Sequence, residues 1–397
     1  MFKLRGGDAT ACDDVSDIDV VCGLAIVLVL AWRLPMALGR FGDPASILPA
    51  SLFQSGIPLL LTVAGFLCAR DLAARLDKAR GPKAQLSAVF GFWGGFARTV
   101  WPSVAVWLAL TLAAAEAFNT SGAFGPPGAV RQGALAALCG VENLRLAWLA
   151  PNTEPLDVQP YWLPSLVAQF CIALPTVVAL CRSRLTTLAA AAILVQLAWP
   201  RDAAGPFALF RTDGLLLGAA IGLWSRSPSY RVVEPQALAR TRAGQLAVPT
   251  VLLLLMGTAS DMRLHLVSFT PGVVTVLAAI LIWLASYDSG FVLPRIAGVR
   301  PVLAWFGRRA LPLYLAHVPA LLAAREIWFR LGPGQFAAQP PHRLRFIALG
   351  LLLAAGFAET SFRLIQRPLL QPGGGRRAGG FARSKPPIPK GNRHAAE

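Results

Sequence analysis

The sequence predicts an all-α integral membrane protein, a bundle of about ten transmembrane helices with both termini in the cytoplasm. Three observations predict it. Of 397 residues, 55% are hydrophobic and only 14% are charged, whereas an average soluble domain carries about 25% charged residues. The apolar residues gather in runs near the roughly 20 residues that a helix needs to cross the hydrocarbon core. Lys and Arg collect in short segments between those runs and in the C-terminal tail, where they set orientation. A net charge of +17 distributed in this way argues against a nucleic-acid partner, which would demand a basic face on one domain.

Residues 1–20 form a cytoplasmic N-terminal segment. Asp8, Asp13, Asp14, Asp17 and Asp19 give it the wrong sign for a cleaved signal peptide, so the first apolar run is read as a retained anchor. Residues 21–370 form the transmembrane domain, with spans expected at 21–39, 47–68, 95–117, 161–181, 185–200, 206–224, 244–259, 268–287, 302–323 and 344–364. Segment 128–141 is apolar but too short to span, and is expected to be interfacial or re-entrant.

Arg70, Arg75, Lys78, Arg80 and Lys83 place the 69–85 loop inside, and Arg226, Arg231, Arg240 and Arg242 place the 225–243 loop there too. The links bearing Arg182, Arg184, Arg295 and Arg300 agree. The long 118–160 segment, with Glu142, Glu154 and Asp157, falls outside. Arg325, Arg330, Arg343 and Arg345 also fall outside and are outnumbered. Residues 371–397, rich in Gly, Pro and basic side chains, are expected to be a disordered cytoplasmic tail drawn to anionic lipid.

Ionisable side chains at membrane depth are costly and are functional candidates by default. Arg33 sits two-thirds along the first span, as an anion or acyl contact or as an arginine snorkelling to the interface. Arg98 opens the third span, as a phosphate contact or an interfacial anchor. Arg211 and Asp213 open the sixth, two residues apart and so on different faces of a helix; Asp213 then needs a partner on another helix. His317 is the one histidine of four placed inside a span, able to act as acid, base or hydrogen-bond donor, or to bond a neighbouring helix. The six cysteines show no paired spacing and no neighbouring His that would mark a metal site. No nucleophile elbow or phosphate-binding loop is present.

Read in order, seven segments resemble the membrane acyltransferase type 3 family: DIDVVCGLAIVLVLAWR, GIPLLLTVAGFLCAR, FWGGFARTVWP, YWLPSLVAQF with Trp162 and Gln169, FRTDGLLLGAAIG, LAWFGRRALPLYLAHVPAL with Tyr314 and His317, and FRLIQRPLL. The resemblance runs from residue 17 to about 370. It implies an enzyme of the bacterial inner membrane that moves an acyl group, usually acetyl, from cytoplasmic acyl-CoA to a hydroxyl of an extracytoplasmic glycan or lipid. Acyl-CoA is then the donor substrate, with no tightly bound cofactor and no metal. His317 and Asp213 become the catalytic candidates, and Arg33, Arg98, Arg211, Trp162, Gln169 and Tyr314 the substrate-binding ones.

The chain departs from the family pattern where the family keeps an Arg and a His with ten residues between them in the first span. Cys22 stands at the Arg position and Arg33 at the His position. Gly95, Phe96 and Thr99 replace basic residues before Pro102, Val167 and Ala168 replace an acidic pair, and Gln366 replaces a Glu. An arginine stays charged at neutral pH and cannot be the base. Three readings follow: an acyltransferase with a relocated base, a degenerate relative that acts as a binding or assembly partner in glycan export, and a carrier for a small solute or glycan.

Overall fold

The computed structural model describes residues 15–37, 53–149, 160–180, 185–198, 209–239, 241–260, 269–294, 298–332 and 340–370. The tail 371–397 therefore lies outside the described residues. Within them all regular structure is helical, and the elements run α1 Asp17–Ala37, α2 Gly56–Leu76, α3 Pro82–Ala117, α4 Pro127–Leu138, α5 Glu142–Leu149, α6 Trp162–Leu180, α7 Leu185–Ala198 and α8 Asp213–Trp224. They continue as α9 Pro228–Val232, α10 Gln236–Ala239, α11 Arg242–Ala259, α12 Thr270–Ser286, α13 Val299–Arg308, α14 Ala310–Leu331 and α15 Pro340–Ser361, then a π-turn at Phe362–Gln366 and α16 Arg367–Leu370.

Among the described residues, five stretches are long and apolar enough to cross a membrane: Gly56–Leu76, Pro82–Ala117, Trp162–Ala179, Arg242–Ala259 and Leu344–Leu369. Asp213–Trp224 and Thr270–Ser286 are apolar and shorter. Large apolar side chains stand exposed along several of the helices, Ile172, Leu194, Leu254 and Leu352 among them. That arrangement suits a hydrocarbon solvent and is a liability in water.

Three boundaries differ from the sequence reading. The segment 69–85 is not a loop: α2 carries on to Leu76, where Asp71 accepts from Arg75 Nε one turn later at 2.9 Å, and only a short turn precedes α3. That helix starts at Pro82 rather than 95 and is 36 residues long, about 54 Å at 1.5 Å per residue, well beyond a ~30 Å core. The expected span 302–323 is two helices that break at Arg309. The short α13 lays Arg300, Ala304 and Gly307 inward against α1, and α14 begins after the single non-helical residue Arg309.

Glycine sets the closest helix approaches. A Cβ built on Gly23 of α1 would lie 1.8 Å from the Leu303 carbonyl oxygen, and one on Gly307 of α13 would lie 1.9 Å from that of Asp19. The α2–α8 seam is alike: a Cβ built on Gly65 would lie 2.1 Å from the Leu215 carbonyl oxygen, and one on Gly218 would lie 2.0 Å from that of Thr62. Small residues let backbones meet where lipid offers no hydrophobic drive to hold helices together.

Ionic nodes close the helix ends. Asp17, fully buried, pairs with Arg300 at 2.6 Å and accepts from Gly290 N–H at 2.8 Å. Arg300 also donates to the carbonyls of Leu293 (2.9 Å) and Val15 (2.8 Å). Arg309 pairs with Glu359 of α15 and lies over the rings of Trp305 and Phe362. At the far end of α14, Glu326 accepts from Thr120 N–H, Ser121 N–H, the Ser121 hydroxyl and Arg330 Nε at 2.6–2.9 Å, fixing the turn after α3. The segment after α8 is held by Tyr230, which stacks on Tyr287 with centroids 4.5 Å apart. Burial pushes its phenol up to about 12, so it stays protonated as it bonds Ser286.

Candidate functional site

Tyr314 and His317 lie three residues apart on α14 and so share a face; their ring centroids are 5.6 Å apart. His317 is 1% exposed. Its Nδ1 is 2.7 Å from the Tyr314 carbonyl oxygen. A carbonyl only accepts, so Nδ1 carries the proton and Nε2 keeps its lone pair. Nε2 is buried with no hydrogen-bond partner among the described residues. Helix α1 packs along α14, and the charge of Arg33 reaches both Tyr314 and His317. The structure thus brings Arg33, Tyr314 and His317 within electrostatic reach of one another, a half-buried guanidinium and an imidazole whose Nε2 has no hydrogen-bond partner among the described residues.

Asp213 is placed elsewhere. Arg211 and Thr212 precede α8, and Asp213 is its first residue, so the acid and the arginine do not share a helix as the sequence reading had them. A carboxylate at that position is favoured by the helix dipole. Its Oδ2 lies 2.9 Å from the Thr275 hydroxyl of α12, which is also 2.8 Å from the Pro271 carbonyl. Thr212 donates to Gln196 of α7 at 2.8 Å. The start of α8 is therefore wedged between α7 and α12, and Asp213 is in hydrogen-bond reach of α12 there.

Arg98 is exposed and its Nε donates to the Gly94 carbonyl of its own helix at 3.2 Å. Trp162 is buried at the start of α6. Gln169 forms a reciprocal amide pair with Asn143 (Nε2 to Oδ1 2.8 Å, Nδ2 to Oε1 3.1 Å) and donates to the Gly140 carbonyl at 2.8 Å. It anchors the α4–α5 hairpin on α6 instead of joining Arg33.

Sequence reasoning missed the node beside it. Glu142 is fully buried and takes two hydrogen bonds from Arg145, at 2.5 and 2.7 Å. The i, i+3 spacing was a signal for this pair; the burial by α6 was not. It also missed the meeting of Cys68 of α2 with Cys171 of α6, whose sulfurs are 3.2 Å apart. Pro175 lacks the N–H that would bond the carbonyl four residues back, and Trp93 Nε1 of α3 supplies it, 3.0 Å from Cys171 O. Among the described residues no group of three His, Cys, Asp or Glu side chains could hold a metal ion. No family model, curated protein or solved structure matches the chain.

Proposed function

We propose that the chain is an integral membrane O-acyltransferase of about ten spans, with N- and C-termini in the cytoplasm, moving an acyl group from acyl-CoA to a hydroxyl of an extracytoplasmic glycan or lipid. The observation that carries this reading is the free Nε2 of His317 in a buried site beside Arg33. A hydroxyl attacks a thioester only as its proton leaves. In this reading Nε2 accepts that proton and the hydroxyl oxygen bonds to the thioester carbon. Negative charge that gathers on the carbonyl oxygen is stabilised by the Arg33 guanidinium. The carbonyl then re-forms, the C–S bond breaks, and Nε2–H protonates the departing thiolate. The Nδ1–H bond to Tyr314 holds the ring in the tautomer that this cycle needs. Asp213 is the less favoured base because it lies at the start of α8 against Thr275 of α12, whereas Tyr314 and His317 belong to α14.

A second reading, the degenerate binding or assembly partner, is favoured by Cys22. It is buried in the apolar core and leaves no basic group where the resemblance implies an arginine. Membrane vesicles supplied with radiolabelled acetyl-CoA separate the two. Label transfer to a glycan or lipid fraction, abolished by His317→Ala at unchanged protein level, supports the enzyme. Absence of both transfer and acetyl-CoA binding in the wild type refutes it.

A further inference from the structure

We infer that Cys68 and Cys171 are an oxidisable pair that closes into an intramolecular disulfide, pinning α2 to α6. Both thiols are buried, at 2% and 1% exposure, and they come from helices 103 residues apart in sequence. Their sulfurs at 3.2 Å need to approach by only about 1 Å to reach the ~2.05 Å bond, a change within reach of side-chain rotation. The Cys171 backbone is steadied from a third helix, because the carbonyl freed by Pro175 is held by Trp93 of α3. The other two cysteines with described surroundings have no such approach: Cys22 is buried in the core, and Cys139 is exposed at the end of α4.

The oxidant is hydrogen peroxide, small and uncharged enough to enter an apolar interior. One sulfur attacks a peroxide oxygen, the O–O bond breaks, and the thiol proton leaves with the departing hydroxide as water, giving a sulfenic acid. The second thiol attacks that sulfur; the S–S bond forms, the S–O bond breaks, and its proton leaves with the hydroxyl as a second water. Two thiols lose two electrons, and one peroxide becomes two waters.

The test uses the full chain in liposomes, treated with peroxide, denatured, and labelled with a maleimide-polyethylene glycol. A variant retaining only Cys68 and Cys171 is expected to take two labels when reduced and none after oxidation, with dithiothreitol restoring both. In the wild type, peptide mapping by mass spectrometry is expected to show the Cys68–Cys171 link. That measurement decides the matter if the multiple variant does not fold. The detergent-solubilised wild type should also melt higher after oxidation, with the rise lost in Cys68→Ser and in Cys171→Ser. Free Cys68 and Cys171 under conditions that oxidise the exposed Cys139 would overturn the inference, as would Cys68 linked to any other cysteine.

Discussion

The imidazole of His317 is oriented from within its own helix, by the carbonyl three residues back, and Nε2 has no hydrogen-bond partner among the described residues. His317→Gln keeps a side chain able to bond the Tyr314 carbonyl but removes the proton acceptor. Acyl transfer is expected to fall by at least ~10²-fold, with KM changed little, in the vesicle assay; undiminished turnover would remove His317 from the chemistry. Thr275→Val, by contrast, takes the hydroxyl from a buried carboxylate. It is expected to destabilise the protein by about 1.5–3 kcal/mol, read as a lower melting temperature in detergent. Asp213 and His317 were visible in the sequence because a polar residue in an apolar run stands out. Tyr314 was named only through the family resemblance, not from its spacing to His317. Thr275, 62 residues from Asp213, was not, since only the folded bundle brings α8 beside α12.

Seams between helices depend on how close two backbones come. A side chain on Gly218 must displace the Thr62 carbonyl, so Gly218→Val is expected to part α2 from α8 and cost about 2–3 kcal/mol, with lower yield in the membrane. Gly94, in α3, has nothing within 4 Å of an added Cβ. Gly94→Ala is expected to be stabilising by about 0.5–1 kcal/mol, and equal losses at both positions would defeat the close-packing argument. The existence of most helices was legible from apolar runs, and their ends were not. Arg75 read as loop charge because a hydropathy pattern scores it as polar, yet its i, i+4 pairing with Asp71 lies within α2. The break at Arg309 was hidden for the opposite reason: apolar residues lie on both sides, and the turn comes from α13 docking its inward face on α1.

For the molecule as a whole, orientation is the property that the proposed reaction would require, since its donor and acceptor would lie on opposite sides of the membrane. Alkaline phosphatase, active only outside the inner membrane, is expected to be inactive when inserted after Val232 and active after Gly122. The reverse pattern would invert the bundle. The locking of Asp17 by Arg300 and of Gly23 by Gly307 has a consequence for biosynthesis. Val15 and Arg300 are 285 residues apart, which at about 5–20 residues per second takes the ribosome roughly 15–60 s to bridge. During that interval the first helix has an uncompensated acidic end and a bare glycine face. A nascent chain that stops short of α13 keeps both on display to membrane proteases, so late truncations are expected to be cleared from the cell instead of persisting as partial bundles.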